Sequence, residues 1–274
     1  MKEDIIKPLQ RQLLYLLTQS QPTSTQTLIE ILQGLDQQPS YVRTNLAQLK
    51  KQGLITAVAR GQYAVTKTAT AYLQGLETKV AMIQATTFPY TLLTTLFTAI
   101  ETTQRTRFNV LMNTLGFGKL ENGSFIIPGD RRADLAKPLQ DYQANYRMYL
   151  VTEMTPVFSA TDVARAWGLT TVAAQLATLV DQFTTWNEQR IATTSDNLTL
   201  LRQYLQLIDF VGAYYVLDPM LPKVLLTDDW VGYQLLRAMI QAGVAIVSAS
   251  KAEEPYYDYF DHELLKRGQA YAND

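Results

Sequence analysis

The chain of 274 residues contains no cysteine and a single histidine. The first absence excludes disulfides, thiolate metal sites and a cysteine nucleophile. The second leaves His262 as the sole imidazole, set between Asp261 and Glu263. Three adjacent polar residues on a helix do not face one point, so Asp-His-Glu reads as a surface or structural segment. There is no Gly-x-Ser-x-Gly elbow, no Walker loop and no paired-glycine dinucleotide motif after a strand. Gly116-Phe-Gly118 is too short to be one. Uncharged apolar runs are short too: the longest, Ala238–Ala249, falls short of a membrane span. The opening Met-Lys-Glu-Asp has no apolar core of the signal-peptide kind. The expectation is a soluble, cytoplasmic protein with no membrane association, no cofactor, no metal and no enzymatic role.

What is present is a sizeable apolar fraction, 47% of the residues, enough for real cores. The length suggests two or three domains. Net charge is −1 but unevenly spread. Residues 1–80 hold nine lysines and arginines against five acids, an excess of four; the rest of the chain carries 15 against 20. A basic module on an acidic body suits a protein that meets phosphate at one end.

The first 80 residues carry the most information. Ile5, Leu9, Leu13, Leu16 and Leu17 recur at helical spacing and predict a helix from about Lys2 to Thr18, limited at its start by Pro8. Ser20–Ser24 reads as a loop. A short helix from about Thr25 to Gln33 should end at Gly34. After a turn at 35–39, Ser40 is the N-cap candidate of a third helix. Val42, Leu46 and Leu49 lie within about 60° of each other on its wheel and would face the earlier helices. Arg43, Thr44, Ala47, Gln48 and Lys51 take the opposite side. Gly53 stops the helix. Leu54–Val58 and Gln62–Val65 then read as a hairpin turning at Ala59-Arg60-Gly61. Together this is a winged helix-turn-helix, which puts a helix into the DNA major groove.

A linking helix is predicted over 67–86. Next come a strand, Tyr90–Phe97, and a helix from about Glu101 to Leu115. Phe117–Leu120 and Ser124–Ile127 flank Asn122-Gly123, a strong hairpin signal. A helix over Asp130–Arg147, divided near Pro138, and a closing strand, Met148–Thr152, complete a ferredoxin-like split βαβ order. From Ser159 helices dominate: Thr161–Trp167, Thr171–Trp186, Asp196–Val211 and one capped by Asp228 that runs to about Gln241. The fold class is α+β. Its expected parts are a winged helix-turn-helix (1–86), a ferredoxin-like domain (87–158) and a helical effector and dimerisation domain (159–274).

On the third helix, Arg43 and Lys51 are the main DNA-binding candidates. Arginine can grip a guanine edge with two hydrogen bonds, and Gln48 can read adenine likewise. Ser40 and Thr44 suit phosphate or base edges, and Tyr41 can reach the backbone. Arg60 and Gln62 at the hairpin tip would meet phosphate or the minor groove. Aromatic residues cluster in the C-terminal part, among them Trp167, Phe183, Trp186, Tyr204, Phe210, Tyr214 and Trp230. An aromatic cleft with Arg165 or Arg202 beside it would suit an aryl or acyl thioester; the plainer reading is core packing.

Three segments resemble the phenylacetate-degradation repressor (PaaX) family of transcriptional regulators. The first is Tyr41-Val-Arg-Thr-Asn-Leu46-Ala-Gln-Leu49 with Gly53-Leu54, Arg60-Gly61 and Tyr63-Ala-Val-Thr66. The second is Arg107, Leu111, Leu115-Gly-Phe-Gly118, Gly123 and Ile127-Pro128. The third joins Arg165-Ala-Trp-Gly-Leu169 to Leu217-Asp-Pro-Met-Leu-Pro222, Leu225-Leu226 and Asp229-Trp-Val-Gly232. The resemblance implies the same three-part architecture, with a central domain like the small ferredoxin-like subunit of CRISPR adaptation. It also implies a homodimer that binds a double-stranded operator, represses an operon and is released by an acyl-coenzyme A effector. Two departures stand out: a wing about two residues shorter than in relatives, and Gly212 where an arginine is expected. Two other function classes are compatible with the sequence. One is a metal-dependent nuclease using the ferredoxin-like domain, although Tyr90–Phe97 carries no acid. The other is an adaptor whose winged helix binds protein.

Overall fold

A computed structural model describes residues 6–70, 82–97, 102–136, 138–153, 158–191 and 196–266. The chain is mixed α and β, with two small antiparallel sheets among many helices, and divides into two units. One comprises Met1–Leu76, Thr178–Tyr214 and Tyr233–Asp274; the other comprises Glu77–Ala177 and Tyr215–Gly232.

In the first unit, α1 spans Pro8–Gln19, α2 spans Thr25–Gln33 and α3 spans Pro39–Lys51. Helix α1 begins at its proline, with Lys7 as N-cap; the expected start near Lys2 lies outside the described residues. Proline at the first helical position loses no hydrogen bond and has the right φ already. The same effect corrects the start of α3: Pro39 holds that position and Gln38 the N-cap, so Ser40 lies inside the helix. Helix α2 is capped by Ser24, whose hydroxyl accepts from Thr27 N at 3.0 Å. Leu13, Leu16, Leu17, Leu28, Ile31, Leu32, Val42, Leu46 and Leu49 are buried to 1% exposure or less. They form the core between the three helices.

Strands β2 (Ile55–Ala59) and β3 (Gln62–Val65) form the expected hairpin, turning at Arg60-Gly61, where Gly61 takes a left-handed φ of +72°. The expected loop at 20–24 contains a two-residue strand, β1 (Thr23–Ser24), paired antiparallel with β3. So short a strand has no periodicity to read; it exists because β3 offers an edge beside it. Residues 67–70 are helical. The predicted linking helix otherwise falls largely outside the described residues.

Much of the rest of this unit comes from the C-terminal part: α7 (Leu169–Ile191, which begins in the other unit), α8 (Asn197–Leu217) and most of α9 (Val231–Ala249). Polar contacts tie α8 to the N-terminal helices. Arg202 donates to the carbonyls of Ile31 (2.9 Å) and Glu30 (3.0 Å). Gln12 Nε2 donates to Asp209 (2.7 Å); beyond α8, Tyr15 Oη donates to the carbonyl of Tyr259 in the C-terminal segment (2.8 Å). Helices α8 and α9 both outrun their predicted ends because apolar residues continue, such as Tyr214 in α8 and Ile246 and Val247 in α9, and these are buried. Helix α9 starts at Val231, three residues after the proposed Asp228 cap. It is long and apolar enough to cross a membrane, but Leu235, Met239, Ala242, Ile246 and Val247 are buried in the protein, as in a core helix.

The second unit is built on strands β4 (Tyr90–Thr95), β5 (Gly118–Lys119), β6 (Ser124–Pro128) and β7 (Tyr146–Val151), in the order β5-β6-β4-β7 with every pair antiparallel. Helix α4 (Thr102–Thr114) crosses from β4 to β5 and buries Phe108 and Met112 against Leu93, Phe97, Phe117, Phe125 and Ile127. The predicted helix over 130–147 is a correction. Among the described residues only α5 (Arg132–Leu135) and a 3-10 segment (Gln140–Asn145) form, with Pro138 between them. Proline removes a donor and clashes with the preceding turn. Leu135 and Leu139 still reach the core. Helix α6 (Ala160–Trp167) opens with a capping box: Ser159 Oγ accepts from Asp162 N, and Asp162 accepts from Ser159 N. Buried Asp218 accepts from Met220 N (2.6 Å) and Trp230 Nε1 (2.9 Å), which fixes the Asp-Pro-Met turn.

One half-buried polar cluster has a pH consequence. Asp209 Oδ1 lies 3.8 Å from an Arg11 nitrogen, long for an ion pair, and neither Oδ1 nor Arg11 Nε has a hydrogen-bond partner. Burial therefore outweighs the guanidinium and the Gln12 amide and pushes the Asp209 carboxyl up to about 6. In the unfolded chain it would protonate near about 3.9. Between those values the folded state holds more protons, so this group's contribution to stability falls as pH rises. The stability of Asp209→Asn relative to the native chain should therefore increase between pH 4 and pH 7. Urea denaturation across that range checks this; a flat difference would refute it.

Candidate nucleic-acid interface

With Val42, Asn45, Leu46 and Leu49 buried, the opposite side of α3 has to face water. Ser40, Thr44, Ala47 and Lys51 form the centre of that side, within about 60° of one another. Arg43 lies about 70° off centre toward Leu46, and Gln48 about as far the other way. All eight residues marked for DNA contact are exposed: Ser40, Tyr41, Arg43, Thr44, Gln48, Lys51, Arg60 and Gln62. Two already have intrachain bonds. Thr44 Oγ1 donates to the Ser40 carbonyl (2.9 Å), and Gln48 Oε1 accepts from Gln10 Nε2 (3.1 Å). The Gln48 bond orients its amide toward α1.

The hairpin tip is fixed against α2. Gly61 O accepts from both Thr25 N (2.8 Å) and Thr25 Oγ1 (3.0 Å). This holds Arg60 at the mouth of an open cavity of about 590 Å³ that Arg43 and Leu46 line from α3, and Ser24, Thr25, Gln26 and Ile29 from the start of α2. No acid lines it. Sequence reasoning missed the contribution of β1, α2 and Tyr63 to this cavity. The legible signal was Ser24, a good N-cap before Thr27; the pairing of β1 with β3 was not legible.

The four effector candidates are all engaged in the fold. Arg165 is exposed and paired with Asp162 one turn earlier (2.9 Å). Trp167 Nε1 donates to the Gly116 carbonyl (3.0 Å), and its ring covers Gly118 so closely that a Cβ there would collide with it. Both belong to the second unit. In the first, Tyr214 is fully buried, and Arg202 closes the carbonyl end of α2 over Gly34. The aromatic cluster also packs on itself: Phe183, Trp186 and Phe210 have ring centroids 5.3 to 5.7 Å apart. His262 stacks on Tyr257 at 4.2 Å and bonds its carbonyl. Gly212 also finds a structural reason. The Arg11 guanidinium lies over it, and a Cβ at 212 would come within 2.2 Å of Nε.

Residues 167–253 match the family model described as the PaaX-like protein C-terminal domain. This part of the chain is thus similar to the C-terminal domain of PaaX-like proteins. The match covers about a third of the chain and includes much of the third segment that resembles the PaaX family; the N-terminal and central segments lie outside it. Among solved structures it resembles an uncharacterized protein, Rv0674, from Mycobacterium tuberculosis. The two are 18% identical over 95% of this chain and 97% of that one, with a TM-score of 0.53, so they share a fold. No curated protein matches the chain.

The position of Arg202 makes it a clamp. Arg202→Ala should lower stability by about 1–2 kcal/mol with no ligand present, the order expected for charge-assisted hydrogen bonds that are only half-buried. Arg202→Lys should restore part of this, since an ammonium cannot span two carbonyls as a guanidinium does. Thermal denaturation of the three proteins tests it; unchanged midpoints would return Arg202 to the list of ligand-binding candidates.

Proposed function

We propose that this protein is a sequence-specific DNA-binding regulator, a cytoplasmic homodimeric repressor released by an acyl-coenzyme A-like effector. In this reading α1–α3 with the β2–β3 hairpin are a winged helix-turn-helix, α3 is the recognition helix and the hairpin is a short wing. The sheet order β5-β6-β4-β7 with α4 as crossover suits a ferredoxin-like domain. The three parts are 1–86, 87–158 and 159–274, the last binding effector and contributing to the dimer. The single observation that carries the DNA reading is the polarity of α3: its aliphatic edge is buried and its Arg43, Thr44 and Lys51 side is uncovered. Dimerisation would place two such helices on successive major-groove faces and supply affinity that one small module lacks. Effector binding would then favour a dimer geometry that no longer fits the half-site spacing. Nothing favours the nuclease alternative, in which strand β4 would have to supply carboxylates that Tyr90–Thr95 does not contain.

The test is binding to a labelled duplex from the region upstream of the protein's own reading frame. The native chain should bind it more tightly than a scrambled duplex, and Arg43→Ala with Lys51→Ala should weaken binding at least tenfold, since one good base contact is worth about 1–3 kcal/mol. A panel of acyl-coenzyme A thioesters should contain one that releases the duplex. Undiminished binding by the double variant would remove α3 from the interface.

A further inference from the structure

Arg43 and Arg60 are 17 residues apart in sequence, yet they line the same cavity, and neither has an ion-pair or hydrogen-bond partner among the described residues. Two guanidinium groups with no partner, over a hollow with no acid among its described residues, repel one another unless an anion lies between them. The hollow is open, so its anion can belong to a large polymer. Of the hydroxyl-bearing residues in its walls, Thr25 already donates to Gly61 and Ser24 caps α2, which leaves Tyr63 as a further donor. The Arg60 turn is held there by the two Thr25 bonds to Gly61, so the second guanidinium is carried on a fixed base. Arg43, for its part, stands on the flank of α3 and not on its outermost line, which Thr44 and Lys51 occupy.

From this arrangement we infer that the cavity between α2, α3 and the hairpin tip is a seat for one DNA backbone phosphodiester, gripped by Arg43 and Arg60 together. The inference rests on the DNA-binding reading above and divides the labour within it. Arg43, which the sequence offers as a reader of guanine, becomes a positioning contact. Sequence discrimination falls instead to the central line of α3, with Ser40, Thr44 and Lys51 as its polar members. The short hairpin is then sufficient: its tip needs to reach only the phosphate beside α3 and not the next minor groove. Phosphate contacts fix register without carrying sequence information, whereas base contacts change which sequence is preferred.

The experiment measures anisotropy of two labelled duplexes, the upstream fragment and a scrambled one of equal length, between 50 and 200 mM salt. The proteins are the native chain, Arg43→Ala, Arg60→Ala, the double alanine variant and Arg43→Lys. A phosphate seat predicts that each alanine variant weakens binding to both duplexes by the same factor. It predicts a double variant whose plot of log affinity against log salt is shallower by about 0.9 for each protomer bound, or about 3.5-fold less loss of affinity across that salt range. It also predicts that Arg43→Lys keeps the native salt slope and the native preference between the duplexes. If Arg43→Ala or Arg43→Lys instead erases the preference for the upstream fragment while the slope stays native, Arg43 reads a base and the seat is overturned. An effect of Arg43 with none of Arg60 would overturn the shared grip. Failure of the native chain to bind either duplex at 50 mM salt would overturn the DNA reading itself, a result distinct from both.

Discussion

The orientation of α3 depends on the burial of three aliphatic side chains, Val42, Leu46 and Leu49, each with 1% or less of its surface exposed. Taking such a side chain out of water is worth about 1.5–3 kcal/mol, so rotating the helix to hide its charges instead would cost several times the thermal energy. Once that edge is fixed against α1 and α2, helical geometry fixes everything else on α3. Lys51 and Thr44 must face outward, Arg43 must turn toward the hairpin and Gln48 must turn toward α1. The chemistry of the surface is thus decided by residues that never touch it.

The local elements of the first unit were legible because their signals are local. Helix α2 matches its prediction from Thr25 to Gln33, since a good N-cap and a terminal glycine bracket one apolar stripe. The hairpins at Gly61 and Asn122-Gly123 announce themselves through residues that tolerate left-handed backbone. The sites of failure are instructive. Ser40 is a better N-cap by chemistry than Gln38, but Pro39 settles the start of the helix sterically. The stretch 130–147 has helix-compatible residues, yet Pro138 interrupts it and a strand pairing claims Tyr146 and Arg147. Strand β1 could not be read at all, because its partner lies about 40 residues away.

The candidate interface was legible as a set of residues but not as a geometry. Exposure of all eight follows from the wheel of α3 and the position of the turn. That Arg43 and Arg60 share a cavity follows from Thr25 holding the Gly61 carbonyl, a contact with no sequence signature. The effector candidates show the opposite problem. Arginines and aromatics in a helical region invite a ligand reading, yet Arg202 ends a helix, Trp167 covers a glycine and Tyr214 fills a core. Each is explained by a neighbour distant in sequence: Arg202 by Glu30 and Ile31, and Trp167 by Gly116 and Gly118.

The double hydrogen bond from Thr25 to Gly61 welds the hairpin tip to the second helix, and the second helix is itself held at its far end by Arg202. A module braced at both ends has no internal joint. Any force reaching it tilts or translates it as one piece and leaves its internal shape untouched.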